Sequence, residues 1–241
     1  MFSLFKKSIT GTEILAGHTD THCHILPGVD DGTQHMSDAL ATLKFYEDNG
    51  LKRLFFTPHI AQSLHENTPE NLRKRLEEFK AEYKGNIELR LGAEYMMDEE
   101  FSKKVERGDE LLCASPGTIL VETTAGHKPW EMEETLFELQ QKGYTVMLAH
   151  PERYVYMEEE DYERLKDKDI LFQMNILSLD GTYGKHAFNK AKKLLKKGMY
   201  DFCGSDWHKK GYHIPHFSEK NFSSSSIKEI AELLKKNDTL K

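Results

Sequence analysis

The chain has 241 residues, with 33 Lys and Arg against 40 Asp and Glu, a formal net charge of −7. That length suits a single domain over 1–241 with a packed core, and 38% hydrophobic with 30% charged residues excludes a disordered or membrane-embedded chain. No apolar run approaches the ~20 residues of a membrane helix, the opening MFSLFKKSIT lacks the apolar stretch of a signal peptide, and the acidic balance argues against a nucleic-acid binder.

Along the chain, short β-like runs alternate with helical patterns. The first run, 18–24, is followed by a helix over 37–49 that Gly50 ends. After the run 52–57, Thr68-Pro69-Glu70 reads as an N-cap, a proline at the first helical position and an acid near the positive helix end. Leu72, Leu76, Phe79 and Tyr83 then share one helical face. The runs 86–93 and 118–123 lead to a helix over 129–142, with the Trp130 indole in the core or at a rim. The runs 144–149 and 169–174 precede a helix over 185–197, whose lysines form a solvated amphipathic face, and the run 199–204 follows. Residues 210–226 read as a loop before a last helix over 227–236. Such alternation means a parallel sheet with helical crossovers. Seven β-runs favour a closed β/α barrel, with an open doubly wound sheet as the alternative, because strand order is not visible in one sequence.

Twelve histidines stand out, and their placement decides what they mean. His22 and His24 end the first run as H-x-H, so period-two alternation puts both rings on one face. His59 follows the second run, Glu94 the third, Glu122 ends the fourth and His150 the fifth, while Asp206 and His208 close the seventh. A lone H-x-H is a weak signal, and one acid after a strand is more often a helix cap. The same placement on six of the seven runs favours a metal centre at the C-terminal rim, where parallel β/α folds build their sites. Imidazole and carboxylate without thiolate suit Mn, Fe or Zn. Cys23, Cys113 and Cys203 are widely spaced, which excludes a disulfide framework or CxxC zinc module and suits a reducing cytoplasm. All three are read as small buried residues. His18, His35, His127 and His186 are read as surface or capping residues and His65 as exposed in a rim loop. No C-x5-R loop and no phosphate-cradling glycine motif is present.

The segments His22-Cys23-His24-Ile25-Leu26-Pro27-Gly28-Val29-Asp30-Asp31-Gly32, Thr57-Pro58-His59, Gly92-Ala93-Glu94, Ala149-His150-Pro151-Glu152-Arg153-Tyr154 and Ser205-Asp206-Trp207-His208 resemble the polymerase-and-histidinol-phosphatase superfamily. They are most similar to its bacterial manganese-dependent protein-tyrosine phosphatases, encoded with capsule and exopolysaccharide genes. The resemblance implies a distorted seven-stranded, TIM-like β/α barrel with three divalent ions, Mn²⁺ first, Fe or Zn as alternatives. It assigns His22, His24, Glu94 and Asp206 to one ion, Glu94, Glu122 and His150 to a second, and Asp31, His59 and His208 to a third.

Three divalent ions against four carboxylates leave positive charge that suits a hydroxide and a phosphate ester. The expected chemistry is in-line attack of a metal-bound hydroxide on phosphorus, without a phospho-enzyme. Arg153, Asp206 and His208 are the expected catalytic residues, with Arg153, Lys209 and His213 as phosphate contacts. An ion pair of Arg153 with Glu152 or another nearby acid is the alternative for that side chain. The expected substrate is a phosphotyrosine protein, the tail of a polysaccharide-assembly kinase, with no nucleic acid and no stable membrane insertion. A small-molecule phosphatase such as histidinol-phosphate phosphatase, an amidohydrolase and a metal-stabilised scaffold protein are the competing readings. No lysine ends the run 118–123 or 144–149, as a bridging lysine of an amidohydrolase would.

Overall fold

The computed structural model describes residues 6–241; the first five residues of the MFSLFKKSIT stretch lie outside them. Nine strands form among the described residues, because the second and third runs are each followed, after a break, by a further short strand. The run 52–57 holds β2 (Arg53–Phe56), with β3 (His59–Ile60) beyond it, and the run 86–93 holds β4 (Glu88–Leu91), with β5 (Glu94–Met96) beyond it. Pro58 has no N–H for a ladder, and at Gly92 a side chain would meet the Ala114 backbone at 2.5 Å. With β1 (Thr19–Cys23), β6 (Thr118–Glu122), β7 (Thr145–Ala149), β8 (Leu171–Asn175) and β9 (Phe202–Gly204), they form two wholly parallel sheets. The orders are β1-β2-β4 and β3-β5-β6-β7-β8-β9, so each break passes the chain from one sheet to the other. Beyond β9, Asp206 N–H donates to the His22 carbonyl at 2.9 Å and His24 N–H to that of Trp207 at 2.8 Å, joining the two ends.

Both faces of β1, β6 and most of β7 and β8 are buried, which explains their non-alternating sequences, whereas β4 is part-exposed and alternates. Ile119, Val121, Val146, Leu148, Phe172 and Met174 pack under the helices. The alternate positions Phe55, Leu120, Met147 and Ala149 pack together on the opposite side, with Leu171, Phe202 and Leu240. His22 and His24 belong to this second side, since Cys23 between them packs under the helices. Cys203 is also buried, whereas Cys113 is only half-buried; all three thiols are unpaired.

The helices are α1 (Met36–Asp48), α2 (Pro69–Glu82), α3 (Glu99–Arg107), α4 (Met132–Gln141), α5 (Glu159–Asp167), α6 (Gly184–Lys196), α7 (Lys210–Ser218) and α8 (Ser224–Asn237). Thr68 caps α2 as expected, accepting from Asn71 N–H at 3.2 Å. Three helices are additional to the sequence reading. For α3 the local signal is Asp98, which accepts from Phe101 N–H at 2.9 Å; for α5 it is a Glu158/Asp161 capping box. The third, α7, occupies the segment expected to be a loop. Its Gly211 and Pro215 disfavour helix, but Phe217 is fully buried, 5.4 Å from the Trp207 ring, and His213 stacks on the same indole at 4.9 Å. Burying Phe217 contributes ~1.5–3 kcal/mol, and the stacking of His213 adds to it, which offsets most of the propensity cost. Trp130 is in neither a core nor a helix: it is 97% exposed, ahead of α4. Lys185, Lys193 and Lys196 of α6 are exposed, as a solvated face requires, while Lys190 donates to the Tyr154 carbonyl at 2.7 Å and Lys197, just past the helix, meets Glu163 at 2.7 Å. No helix among the described residues is long and apolar enough to cross a membrane.

Candidate metal centre

The segments at and just past the C-terminal ends of β1, β2, β4, β6, β7 and β9 bring the nine expected ligand residues into one cluster. His22 Nε2 and His24 Nε2 lie 3.1 Å apart. Glu94 Oε2 is 3.2 and 3.3 Å from them, and Asp206 Oδ1 is 3.5 and 3.3 Å away. Glu94 Oε1 meets His150 Nε2 at 3.0 Å. His59 reaches two ways, its Nδ1 3.2 Å from Glu94 and 3.0 Å from Glu122, its Nε2 3.5 Å from Asp31. His208 Nε2 also lies 3.5 Å from Asp31. His59 therefore stands between the Glu94–Glu122 carboxylates and the Asp31–His208 pair, and His150 sits 3.8 Å from Glu122.

Two tight glycines allow this approach. A side chain on Gly204 would meet His22 Cβ at 2.4 Å, and one on Gly32 would meet the His24 carbonyl oxygen at 2.0 Å. Two ligand-type residues leave regular backbone, His150 at φ 34° and Asp206 at φ 52°. His150 has the parity of Val146 and Leu148, which face the helices; its left-handed backbone breaks that alternation and lets the ring reach Glu94. Strain of this kind at non-glycine residues clusters at functional sites.

Hydrogen bonding decides which nitrogens carry lone pairs. The Thr21 hydroxyl donates to the Cys203 carbonyl at 2.8 Å and accepts from Gln173 Nε2 at 3.0 Å. Gln173 therefore turns its oxygen to His22 Nδ1, 2.6 Å away, and that nitrogen must donate. Asp30 does the same for His24 Nδ1 at 2.9 Å, and the Asp206 carbonyl for His208 Nδ1 at 2.9 Å. In its neutral form each ring is left with a lone pair on Nε2. For His22 and His24 those lone pairs would point at one another and at two carboxylate oxygens, an arrangement that needs either protons or a cation between them. Donor atoms 3.1–3.5 Å apart suit ligands held about 2.0–2.1 Å from one cation. Glu94 Oε2 has no hydrogen-bond partner although buried, a cost that a cation would relieve. The donor set thus fits divalent metal. Three groups of such residues fall together: His22 with His24, Glu94 and Asp206; His59 with Glu94 and Glu122; and Asp31 with His24, His59 and His208.

The electrostatics agree. Burial alone would raise Glu94 and Asp206, but the facing imidazoles hold both carboxyls well below their usual range, with Arg153 adding to the pull on Asp206. Burial opposes charge on His22 and His24, yet Glu94 and Asp206 lift the first, and Asp30, Asp206 and Glu94 lift the second well above normal. Protons collect where cations would bind.

Arg153 follows His150 on a short 3₁₀ turn, Pro151–Arg153. Its Nη1 donates to Asp206 Oδ2 at 2.7 Å, and its guanidinium lies 4.7 Å from the Tyr183 ring centre. The alternative pair with Glu152 does not form, because Glu152 is fully buried and accepts from Ser178, Tyr200 and the Asn175 backbone at 2.7–2.9 Å. Lys209 is exposed at the start of α7. His213 is buried, its ring on the Asp206 and Lys209 carbonyls at 3.1 Å, and burial pushes its pKa down to about 4. This placement suits support of the Asp206 turn, not phosphate contact. His65 is exposed, and His18 bonds Asp238 at 2.6 Å.

Sequence reasoning missed the supporting residues Asp20, Asp30, Gln173 and Asn175. Asp20, which accepts from Ser205 N–H at 3.0 Å and the Tyr46 hydroxyl at 2.7 Å, shares the parity of His22 and His24. Gln173 and Asn175 are alternate polar residues in an otherwise apolar run, and that pattern could have found them.

The likeness to known proteins covers nearly the whole fold. The chain is 29% identical over 235 residues to the tyrosine-protein phosphatase YwqE of Bacillus subtilis, covering 92% of each. It is 22% identical over 227 residues to the tyrosine-protein phosphatase CpsB of Streptococcus pneumoniae, covering 88% of this chain and 93% of that one. Its structure superposes on one from a crystallographic study of those two proteins, described as unique metal-dependent tyrosine phosphatases. The TM-score there is 0.72 at 25% identity, over 92% of this chain and 96% of that one. Residues 18–232 match the family described as capsular polysaccharide synthesis, CpsB/CapC, and the chain belongs to that family.

Proposed function

We propose that this protein is a metal-dependent phosphatase that removes phosphate from phosphotyrosine in proteins, acting in capsule or exopolysaccharide synthesis. The observation that carries the reading is the convergence of the His22 and His24 Nε2 lone pairs on Glu94 and Asp206. The family membership supports the substrate class. In this reading the two sheets form one distorted seven-unit barrel in a single domain, and the bonds from β1 to the segment after β9 support its closure.

Three divalent ions, Mn²⁺ first, would be held by His22, His24, Glu94 and Asp206; by Glu94, Glu122 and His150; and by Asp31, His59 and His208. Bound divalent cations supply acidified water at neutral pH and draw charge from phosphoryl oxygens. The protein's own residues do the rest. Gln173 and Asp30 hold the His22 and His24 rings in the ligating tautomer. Asp206 turns one oxygen to those rings and the other to Arg153 and Asn175. Among the described residues Arg153 is anchored through Nη1, so its other N–H groups are available to a phosphate oxygen. The Asp31 side chain is 74% exposed and Arg153 30%, whereas Glu94 is closed off, so substrate enters between Asp31 and Arg153. Such an open mouth suits a protein tail, here that of a tyrosine kinase of polysaccharide assembly. The unpaired thiols agree with a cytoplasmic setting.

The test is phosphate release from a phosphotyrosyl peptide by chelator-stripped protein, with and without Mn²⁺, alongside histidinol phosphate. Manganese-dependent release from the peptide is expected. Release from histidinol phosphate alone would move the protein to small-molecule esters.

A further inference from the structure

The centre described above engages a phosphoryl group, but nothing in it senses what the phosphate is attached to. A phenyl ester and an alkyl ester differ in leaving-group acidity and from the carbon on the ester oxygen outward, so any discrimination beyond intrinsic reactivity has to come from what the rim offers to that group. On the Arg153 side that rim is aromatic. The Tyr183 ring lies under the guanidinium, 4.7 Å away, and its hydroxyl accepts from Asn175 Nδ2 at 3.1 Å. The same Asn175 nitrogen donates to Asp206 at 2.9 Å. Beside Tyr183, Thr182 bonds His216 at 3.0 Å, and the His216 ring packs 4.7 Å from that of Tyr212.

Tyr212 stands on the first turn of α7, next to His213, whose ring holds the Asp206 carbonyl at 3.1 Å. It meets the His213 ring edge-on at 5.2 Å. Tyr212 is therefore tied from two directions to the residues that place Arg153 and Asp206, yet 43% of it is open to solvent. Its ring is not required to fill the core. Tyr183 is covered by the guanidinium, whereas Tyr212, though flanked by the His213 and His216 rings, keeps 43% of its surface open.

We propose that Tyr212 is a specificity-determining residue, whose ring receives the phenyl ring of the substrate while Arg153 and the ligand cluster hold the phosphate. The inference rests on the phosphatase reading above and deepens it, by naming the residue that favours aryl over alkyl phosphates.

The experiment uses the Mn²⁺-loaded protein with phosphotyrosyl and phosphoseryl peptides of one sequence, and reads the ratio of their kcat/KM values. Loss of one aromatic pair in Tyr212→Ala lowers that ratio by about threefold to tenfold, through KM for the phosphotyrosyl peptide. Tyr212→Phe and Tyr212→Trp keep the ratio, because the ring acts and not the hydroxyl. Calorimetry supplies a readout without turnover: Tyr212→Ala weakens benzylphosphonate binding relative to ethylphosphonate. An unchanged ratio, or an equal loss on both peptides from a general disturbance of α7, would overturn the assignment. If the wild-type protein releases phosphate from neither peptide, the phosphatase reading fails and this inference falls with it, an outcome distinct from an active enzyme with an unaltered ratio.

Discussion

Removing metal from this centre and raising the pH should destabilise the fold, because protons then do the work of cations. Burial opposes charge on His59 and the His24 ring repels it, but Glu122 and Glu94 outweigh both and carry its pKa up to about 9 from 6.5. That rise is ~3 kcal/mol at about 1.36 kcal/mol per pKa unit, and His22 and His24 shift in the same direction. Since folding raises these values, the protonated rings stabilise the fold fully below pH 6.5, and that stability is lost as the pH climbs through about 9. Glu94 and Asp206 shift the other way, so their contribution is complete above the ordinary carboxylate range and constant over this window. Thermal melts of chelator-treated protein should therefore drop by roughly 6–12 °C between pH 6.5 and 9, at about 2–4 °C per kcal/mol for a chain this long. Mn²⁺ should erase the drop, because it needs neutral imidazole and binds more tightly as the pH rises. Binding in weakly buffered solution near pH 7 should release protons to an indicator dye. A stripped protein with a flat melting profile over this range, and metal uptake without proton release, would refute the reasoning.

Arg153→Ala should lower phosphatase turnover by about a hundredfold or more while elemental analysis finds bound Mn²⁺ unchanged; intact turnover would remove Arg153 from the mechanism. Gln173→Leu takes away the acceptor that orients His22 and should weaken Mn²⁺ affinity by about 10–100-fold, measured by competition with a chelating dye. Gly204→Ala places a methyl 2.4 Å from His22 Cβ, and overpacking of this kind should cost ~1–3 kcal/mol in urea unfolding. Trp130→Ser, at a 97% exposed site, should change unfolding free energy by no more than about 0.5 kcal/mol; a larger loss would show that the indole is packed in solution.

Much of this protein was determined by local sequence. Capping at Thr68, the β-runs and the H-x-H parity all follow from neighbours along the chain. Repetition of ligand-type residues at strand ends was legible because a parallel β/α fold gathers those ends at one rim. Local signals for α3 and α5, Asp98 and the Glu158/Asp161 box, were present but are short and easily passed over.

Other features were decided only in three dimensions. The fold of α7 overrides Gly211 and Pro215 because Trp207, a residue of the preceding segment, offers a buried face to His213 and Phe217. His150 and Asp206 reach the centre through left-handed backbone, which alternation along a strand does not predict. The tautomers of His22 and His24 depend on Gln173 and Asp30, the former 151 residues away along the chain. Arg153 found Asp206 in place of its neighbour Glu152 because Glu152 is drawn into the core by Ser178 and Tyr200. Sequence determines which chemical groups are available and on which side of an element they start. Long-range packing decides which of them meet, since a buried polar group takes whichever partner desolvation leaves within reach.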